Sequence, residues 1–179
     1  MASGTTNVSQ QQVDKFRNAQ IPEQLEDEIL DVYARYSLDQ DMTLRDLDGY
    51  FTDLEMPEEL TKLVRRDEVV IPGTDVIDFS KIVKITYWLL IFMDNAAIVD
   101  DFWQLLVTCS GRDKQFPNVE WKDHVLGPNE LKRIADFADM DDSSGVLDQL
   151  MKCATQGNRR YITYLDFAII LGKLGYLRF

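Results

Sequence analysis

The chain is poor in the residues that carry most enzymatic and metal chemistry. Its 179 residues include two cysteines and one histidine. Cys109 and Cys153 lie in apolar, helix-like surroundings without metal-type or redox-type spacing, and we expect buried free thiols, as in an intracellular protein. His124 has no cysteine or serine nucleophile near it in sequence and is expected on the surface. We therefore predict a protein that is not an enzyme and uses no metal ion or cofactor.

Basic residues are scarce as well. The chain has 19 Lys and Arg against 31 Asp and Glu, a formal net charge of −12. Most of this charge falls in residues 1–95, which have nine bases and 19 acids, whereas residues 96–179 have ten bases and 12 acids. An acidic surface repels phosphate backbones, so direct binding of nucleic acid is not expected. The charge favours basic protein segments as partners, or it simply keeps the protein soluble.

Long hydrophobic runs are also missing. The most apolar stretch, residues 85–93, lies between Lys84 and Asp94 and is too short to cross a bilayer. The N-terminal residues lack the basic and apolar regions of a signal peptide, and we predict a flexible tail over residues 1–21. No association with a membrane is expected.

One sequence pattern occurs four times. It has an apolar residue in a short extended piece, an acidic or polar residue three to five positions later, and then an apolar helix face. The four stretches are MTLRDLDGYF (42–51), VIDFSKIVKI (76–85), VLGPNELKRI (125–134) and YITYLDFAII (161–170). Their central apolar residues, Met42, Ile77, Leu126 and Ile162, are 35, 49 and 36 positions apart. A period in the middle thirties is typical of duplicated helix–loop–helix units, and the larger spacing indicates an insertion, at 110–124.

The predicted fold is all-α, with two lobes of paired, degenerate EF-hands, one over residues 22–95 and one over 96–179. Within each lobe the two central apolar residues are expected to pair in a two-residue antiparallel β bridge. The helix near 80–93 is apolar almost all round, so we expect the lobes to pack together, or a partner to cover this helix. Helices are predicted over 22–36, 44–54, 57–66, 80–93, 97–108, 129–137, 146–154 and 165–174.

The loops of these units lack calcium ligands. A calcium-binding EF-hand loop needs oxygen ligands at positions 1, 3, 5, 7 and 9, Gly at 6 and a bidentate Glu at 12. The fourth loop, residues 155–166, has Arg159 and Arg160 at positions 5 and 6, and the second has Lys81 at position 12. The first loop is too short and the third is stretched by the insertion. We predict that no metal binds, and we expect Arg159→Ala to leave partner binding nearly unchanged.

The C-terminal lobe is predicted to offer an apolar groove to an amphipathic helix, which such grooves hold by large anchors at i, i+3 or i+4, and i+7. The alternative is that these side chains form the core of the lobe, as we expect for Phe167. The strongest groove candidates are Leu131, Leu150, Met151, Ile170 and Leu171. The full predicted set is Leu131, Ile134, Ala138, Leu147, Leu150, Met151, Phe167, Ile170, Leu171 and Leu174.

These residues and loops resemble the calmodulin/centrin superfamily over residues 22–177. More narrowly, LDQDMTLRDLDGYF, GTDVIDFSKIV and TYLDFAIILGKLGYL, with the same loss of ligands and a stretched third loop, resemble the fungal centrin-like nucleotide-excision-repair factors. The resemblance implies a non-catalytic subunit that acts in the nucleus, and the cytoplasm is the alternative location. It implies that the groove clasps a C-terminal helix of the xeroderma-pigmentosum-C-type damage-recognition protein, with a ubiquitin-like accessory protein in the same complex.

Two other functions fit the same residues. The first is a structural light chain on a motor or spindle-pole scaffold, which would use the same groove. The second is a calcium sensor, which would expose apolar surface only when calcium binds. Copurification separates the first from a repair subunit, and the heat of a calcium titration tests the second.

Overall fold

The computed structural model describes residues 10–18, 20–140 and 145–179 and is mostly helical, with no sheet among these residues. The prediction of an all-α protein is confirmed to this extent. The α-helices of the described residues are α1 (Gln10–Asn18), α2 (Glu23–Ser37), α3 (Leu47–Asp53), α4 (Glu58–Thr61), α5 (Phe79–Asp94), α6 (Ala96–Ser110), α7 (Arg112–Gln115), α8 (Pro128–Phe137), α9 (Val146–Thr155) and α10 (Tyr164–Lys173).

Isolated antiparallel bridges join the loops between helices. Leu126 and Ile162 exchange both backbone hydrogen bonds, at 2.9 and 2.8 Å, as the pairing of their central positions predicts. In the N-terminal half the bridge joins Thr43 to Val76, and the Ile77 amide donates to the Met42 carbonyl at 2.8 Å. This bridge keeps the predicted antiparallel register of Met42 with Ile77, but it lies one residue after Met42 and one residue before Ile77. Ile77 itself forms a second isolated bridge, with Val70.

The chain divides into two compact units. The N-terminal unit contains the described residues up to Asp94 together with Arg178 and Phe179, and the C-terminal unit runs from Asn95 to Leu177. In the N-terminal unit, α2 packs on α3 and α5. The hydroxyls of Tyr50 and Thr86 lie 2.9 Å apart in this core, and burial raises the pKa of Tyr50 to about 12. This hydrogen bond fixes α3 on α5.

Helix α1 lies where the sequence predicts part of a flexible tail. Its Phe16 is fully buried, and the ring stacks on that of Trp88 with 5.6 Å between centroids. The rings of Phe92 and Phe179 lie 6.3 and 6.1 Å away. The predicted tail is therefore wrong over Gln10–Asn18, because one buried aromatic side chain anchors a mostly polar helix. Residues 1–9 and 19 of that predicted tail lie outside the described residues.

Other local predictions also need correction. The helix predicted over 57–66 ends early, as α4, and a short 3₁₀ helix, Arg66–Glu68, follows it. The insertion is more ordered than an irregular stretch, since it contains α7 and a second 3₁₀ turn, Trp121–Asp123. Cys153 is exposed and Cys109 is only half-buried, so neither is the buried thiol that was expected.

Among the described residues, no single helix is long and apolar enough to cross a membrane. Within the same described ranges, the one pair of helices that together reach that length and composition is α5 and α6, which are separated by a break at Asn95.

Candidate functional site

Four helices of the C-terminal unit surround a shared core. Helix α6 packs on α8 and α10, and α9 packs on the same two helices. The Trp103 side chain of α6 is 1% exposed, and its ring lies 6.1 Å from that of Tyr164 and 5.6 Å from that of Phe167, both on α10. This aromatic contact, together with the Leu126–Ile162 bridge, fixes the position of α10 against α6.

Helix α6 carries two apolar stripes. Its buried stripe contains Val99, Trp103 and Val107, at four-residue spacing. Its second stripe stays accessible, and Phe102 and Leu105 on it are 44% and 55% exposed. The sequence pattern of α6 does not separate these two stripes. An apolar pattern does not say which of two neighbouring stripes the tertiary structure covers.

The structure distributes the predicted groove residues over three environments. It buries three of the five strongest candidates, Leu131, Met151 and Leu171, each 6–7% exposed, so these three belong to the core. Phe167, expected in the core, is half-buried. Ile134, Leu147 and Ile170 are half-buried too, whereas Ala138, Leu150 and Leu174 are exposed.

Several exposed apolar side chains of this unit were not predicted from the sequence, notably Phe137, which is 75% exposed, and Met140 and Val146. Phe137 lies three residues after the predicted Ile134, and this helical spacing could have indicated that the two side chains lie on the same side of α8. We define the apolar face by the accessible side chains that the four helices and their ends present: Phe102, Leu105, Ile134, Phe137, Leu150, Phe167, Ile170 and Leu174.

The fourth loop is closed by an ion pair. The guanidinium of Arg159 donates to both carboxylate oxygens of Asp166, at 2.7 and 2.8 Å, and the two side chains are 9% and 8% exposed. The Thr163 amide and hydroxyl each donate to the same carboxylate at 2.8 Å. Asp166 therefore both caps the start of α10 and holds the loop before it.

The insertion is held against the four helices by polar contacts. The Trp103 indole N–H donates to the Trp121 carbonyl at 2.7 Å. The Tyr164 hydroxyl donates to Asp100 at 2.6 Å, and Lys122 pairs with the same carboxylate at 3.4 Å. Burial, then the hydrogen bond from its hydroxyl to Asp100, raises the pKa of Tyr164. These contacts make the insertion a fixed part of the C-terminal unit.

His124, expected on the surface, is 3% exposed. Its Nδ1 is buried without a hydrogen-bond partner among the described residues. Burial lowers the pKa of His124, and the charge of Arg112 lowers it further. A hydrogen bond to the Val119 backbone and the nearby Asp113 and Asp123 act in the opposite direction. The side chain is therefore a neutral part of the packing between the insertion and the core.

This burial predicts that mild acid destabilises the protein. Because the folded state holds His124 below its ordinary pKa, the unfolded state takes up a proton first as the pH falls through about 6.5. We expect the free energy of unfolding to decrease by up to about 1.4 kcal/mol per pH unit from there down to the lowered folded pKa. Urea denaturation at a series of pH values measures this slope.

His124→Gln is the matched control, because the chain has no other histidine. Carboxylates titrate near pH 4 in both proteins and cancel in the comparison. The variant should lose the slope above about pH 5.5. An equal slope in both proteins would contradict the assignment to His124.

The described residues thus define an all-helical protein whose C-terminal unit leaves an apolar face exposed. The chain belongs to the Rad33 family, whose family model matches residues 14–69. It is 48% identical over 176 residues to the DNA repair protein RAD33 of Saccharomyces cerevisiae, an alignment that covers 98% of this chain and 99% of the yeast protein. No solved structure matches it.

Proposed function

We propose that the chain is a non-catalytic, calcium-independent, centrin-like subunit of nucleotide excision repair. On this proposal it binds an amphipathic helix from the C-terminal part of the xeroderma-pigmentosum-C-type damage-recognition protein. It acts in the nucleus, in a complex that also contains a ubiquitin-like accessory protein, and it contacts neither DNA nor a membrane directly. The apolar face is the observation that carries this proposal.

The relationship to a protein named for DNA repair supports the biological setting. The identity of 48% extends over nearly the whole length of both proteins, so the two chains share the same arrangement of segments. The net charge of −12 supports a role through protein contacts, since an acidic surface does not attract DNA.

The local geometry supports a centrin-like scaffold. Each central apolar residue of the later three units lies two positions before a helix: Ile77 before α5, Leu126 before α8 and Ile162 before α10. Short antiparallel bridges between loops, followed at once by helices, are typical of paired EF-hands. We therefore interpret the two units as EF-hand-like lobes that have lost their ligands.

The chemistry of the apolar face favours a helical partner. On α10, the accessible Phe167, Ile170 and Leu174 recur at i, i+3 and i+7, which makes one continuous stripe. On α6, Phe102 and Leu105 form a second stripe. A helix with large apolar anchors at the same spacing as the α10 stripe would pack on it and remove this surface from water.

A structural light chain of a motor or spindle-pole scaffold is the alternative function. It would use the same face for a helix of a different protein, so the geometry alone does not separate the two. The relative named for DNA repair favours the repair subunit.

The proposal is tested by coexpression with the damage-recognition protein of the same species, intact and without its C-terminal helix. We expect copurification with the intact protein only, and the same affinity in saturating calcium and in chelator, because the loops lack calcium ligands. Isothermal titration calorimetry measures both the affinity and the heat of calcium addition. Equal recovery of the shortened protein, or copurification with a motor heavy chain instead, would refute the repair function.

A further inference from the structure

The Arg159–Asp166 pair has the geometry of a metal contact in which a side chain replaces the metal. In a calcium-binding EF-hand loop, the residue at position 12 gives both carboxylate oxygens to the ion. Asp166 holds position 12 of its loop and gives both oxygens to the Arg159 guanidinium, at 2.7 and 2.8 Å. The ring of Tyr161 lies 5.4 Å from the centre of that guanidinium. The residues of this loop therefore do not fit a calcium ion, because a cation already faces the carboxylate.

Two other loops contain comparable contacts. In the second loop, Lys81 at position 12 donates to the carbonyl of Val70 at position 1, with 2.9 Å between Nζ and O. Its ammonium thus links the end of the loop to its beginning. In the third loop, Glu130 at position 12 lies 3.5 Å from the guanidinium of Arg112, which the insertion supplies. The fourth and third loops therefore place a cationic side chain beside the carboxylate that would face calcium, and in the second loop the cation takes the place of that carboxylate.

We infer that Arg159, Lys81 and Arg112 are resident cations that perform the structural role of the calcium ion. This inference rests on the EF-hand-like interpretation of the loops in the proposed function. On this inference, the three side chains stabilise their loops in addition to preventing metal binding. The loops then keep one conformation whatever the calcium concentration.

Arg159 is the most important of the three, because its pair is the most buried. Asp166 lies in the first turn of α10, the helix that carries Phe167, Ile170 and Leu174 of the apolar face. The ion pair therefore sets where this helix begins and how it is oriented. Arg159 is thus a positioning residue for the apolar face, a role that differs from the expectation that Arg159→Ala leaves partner binding nearly unchanged.

A double-mutant cycle on the free protein tests this assignment. Arg159→Gln should lower Tm by about 6–12 °C, because it leaves a buried carboxylate without its cation. Asp166→Asn in the same chain should recover part of this loss, since no buried charge then remains unpaired. Arg159→Lys, which keeps the charge, should also recover part of it.

The Trp103 indole N–H resonance reports the position of α10, because the Trp103 ring contacts Phe167. It should shift in Arg159→Gln and return towards the native value in Arg159→Lys. The matched control is Arg160→Gln, an exposed arginine of the same loop, which should change Tm by no more than about 2 °C.

Additive effects of Arg159→Gln and Asp166→Asn, or equal effects of Arg159→Gln and Arg160→Gln, would overturn the inference. If Arg159→Gln does not fold but the double variant does, the inference is supported. If neither of these variants folds and Arg159→Lys does not fold either, the inference is overturned. All of these measurements use the protein without a partner. Their results therefore test the role of Arg159 separately from the proposed helix binding.

Discussion

Phe16→Ala should destabilise the protein by about 3–5 kcal/mol, the usual cost of removing a buried phenylalanine ring. Phe16 is fully buried and stacks on Trp88 at 5.6 Å, so its loss leaves a cavity between α1 and α5. Phe179 also contacts this ring and would lose part of its packing. Chemical denaturation followed by circular dichroism measures the change.

Gln11→Ala, at an exposed position of α1, is the control for this variant and should change stability by no more than about 0.5 kcal/mol. If Phe16→Ala is as stable as Gln11→Ala, then α1 does not contribute to the folded unit. The prediction of a flexible tail from the sequence would then be right for these residues.

On the proposed function, Leu150→Glu and Ile170→Glu should each weaken binding of the damage-recognition helix about 30-fold or more. A desolvated apolar anchor contributes about 2 kcal/mol or more to such an interface, and a buried carboxylate adds a further penalty. Leu150 is 37% exposed and Ile170 is half-buried, so both are accessible to a partner from α9 and α10. Calorimetry or a competition assay with the partner protein measures the loss.

Gln149→Glu, at an exposed position next to Leu150, introduces the same charge outside the apolar face. It should bind the partner with nearly unchanged affinity, since a surface charge at the rim mainly alters the association rate. If both face variants fold and bind like Gln149→Glu, the partner occupies another surface.

The helices and the register of the bridges could be predicted from sequence because both follow from local patterns. Apolar residues at three- and four-residue spacing predicted α5, α8 and α10 to within a residue at their start, and the central positions Leu126 and Ile162 pair as expected. These features depend on periodicity, which a single sequence contains.

The features that were missed depend on tertiary structure. Helix α1 has only Val13 and Phe16 as apolar residues, so its local sequence does not predict a stable helix. Its order comes from the aromatic contacts of Phe16. His124 shows the same limitation, since a polar residue on a long insertion is buried only because the insertion folds back on the core.

The candidate site was predicted in part. The sequence predicted Leu150, Ile170 and Leu174, which the structure leaves accessible in part or fully, but Phe102 and Leu105 were not predicted. A helix with two adjacent apolar stripes gives no local sign of which stripe the fold buries. The ion pair of Arg159 with Asp166 was not predicted either. The position of Arg159 in the loop indicates that calcium is excluded, but it does not indicate which side chain the arginine contacts.

The two stripes of α6 have a consequence for the cell. A polypeptide that keeps Phe102 and Leu105 in contact with water presents the kind of surface that chaperones and quality-control proteases recognise. Newly made copies without a binding protein would be removed, whereas assembled copies would persist. On the proposed function, the cellular amount of this chain is therefore expected to follow the supply of the partner that covers the stripe, and not the strength of its own promoter.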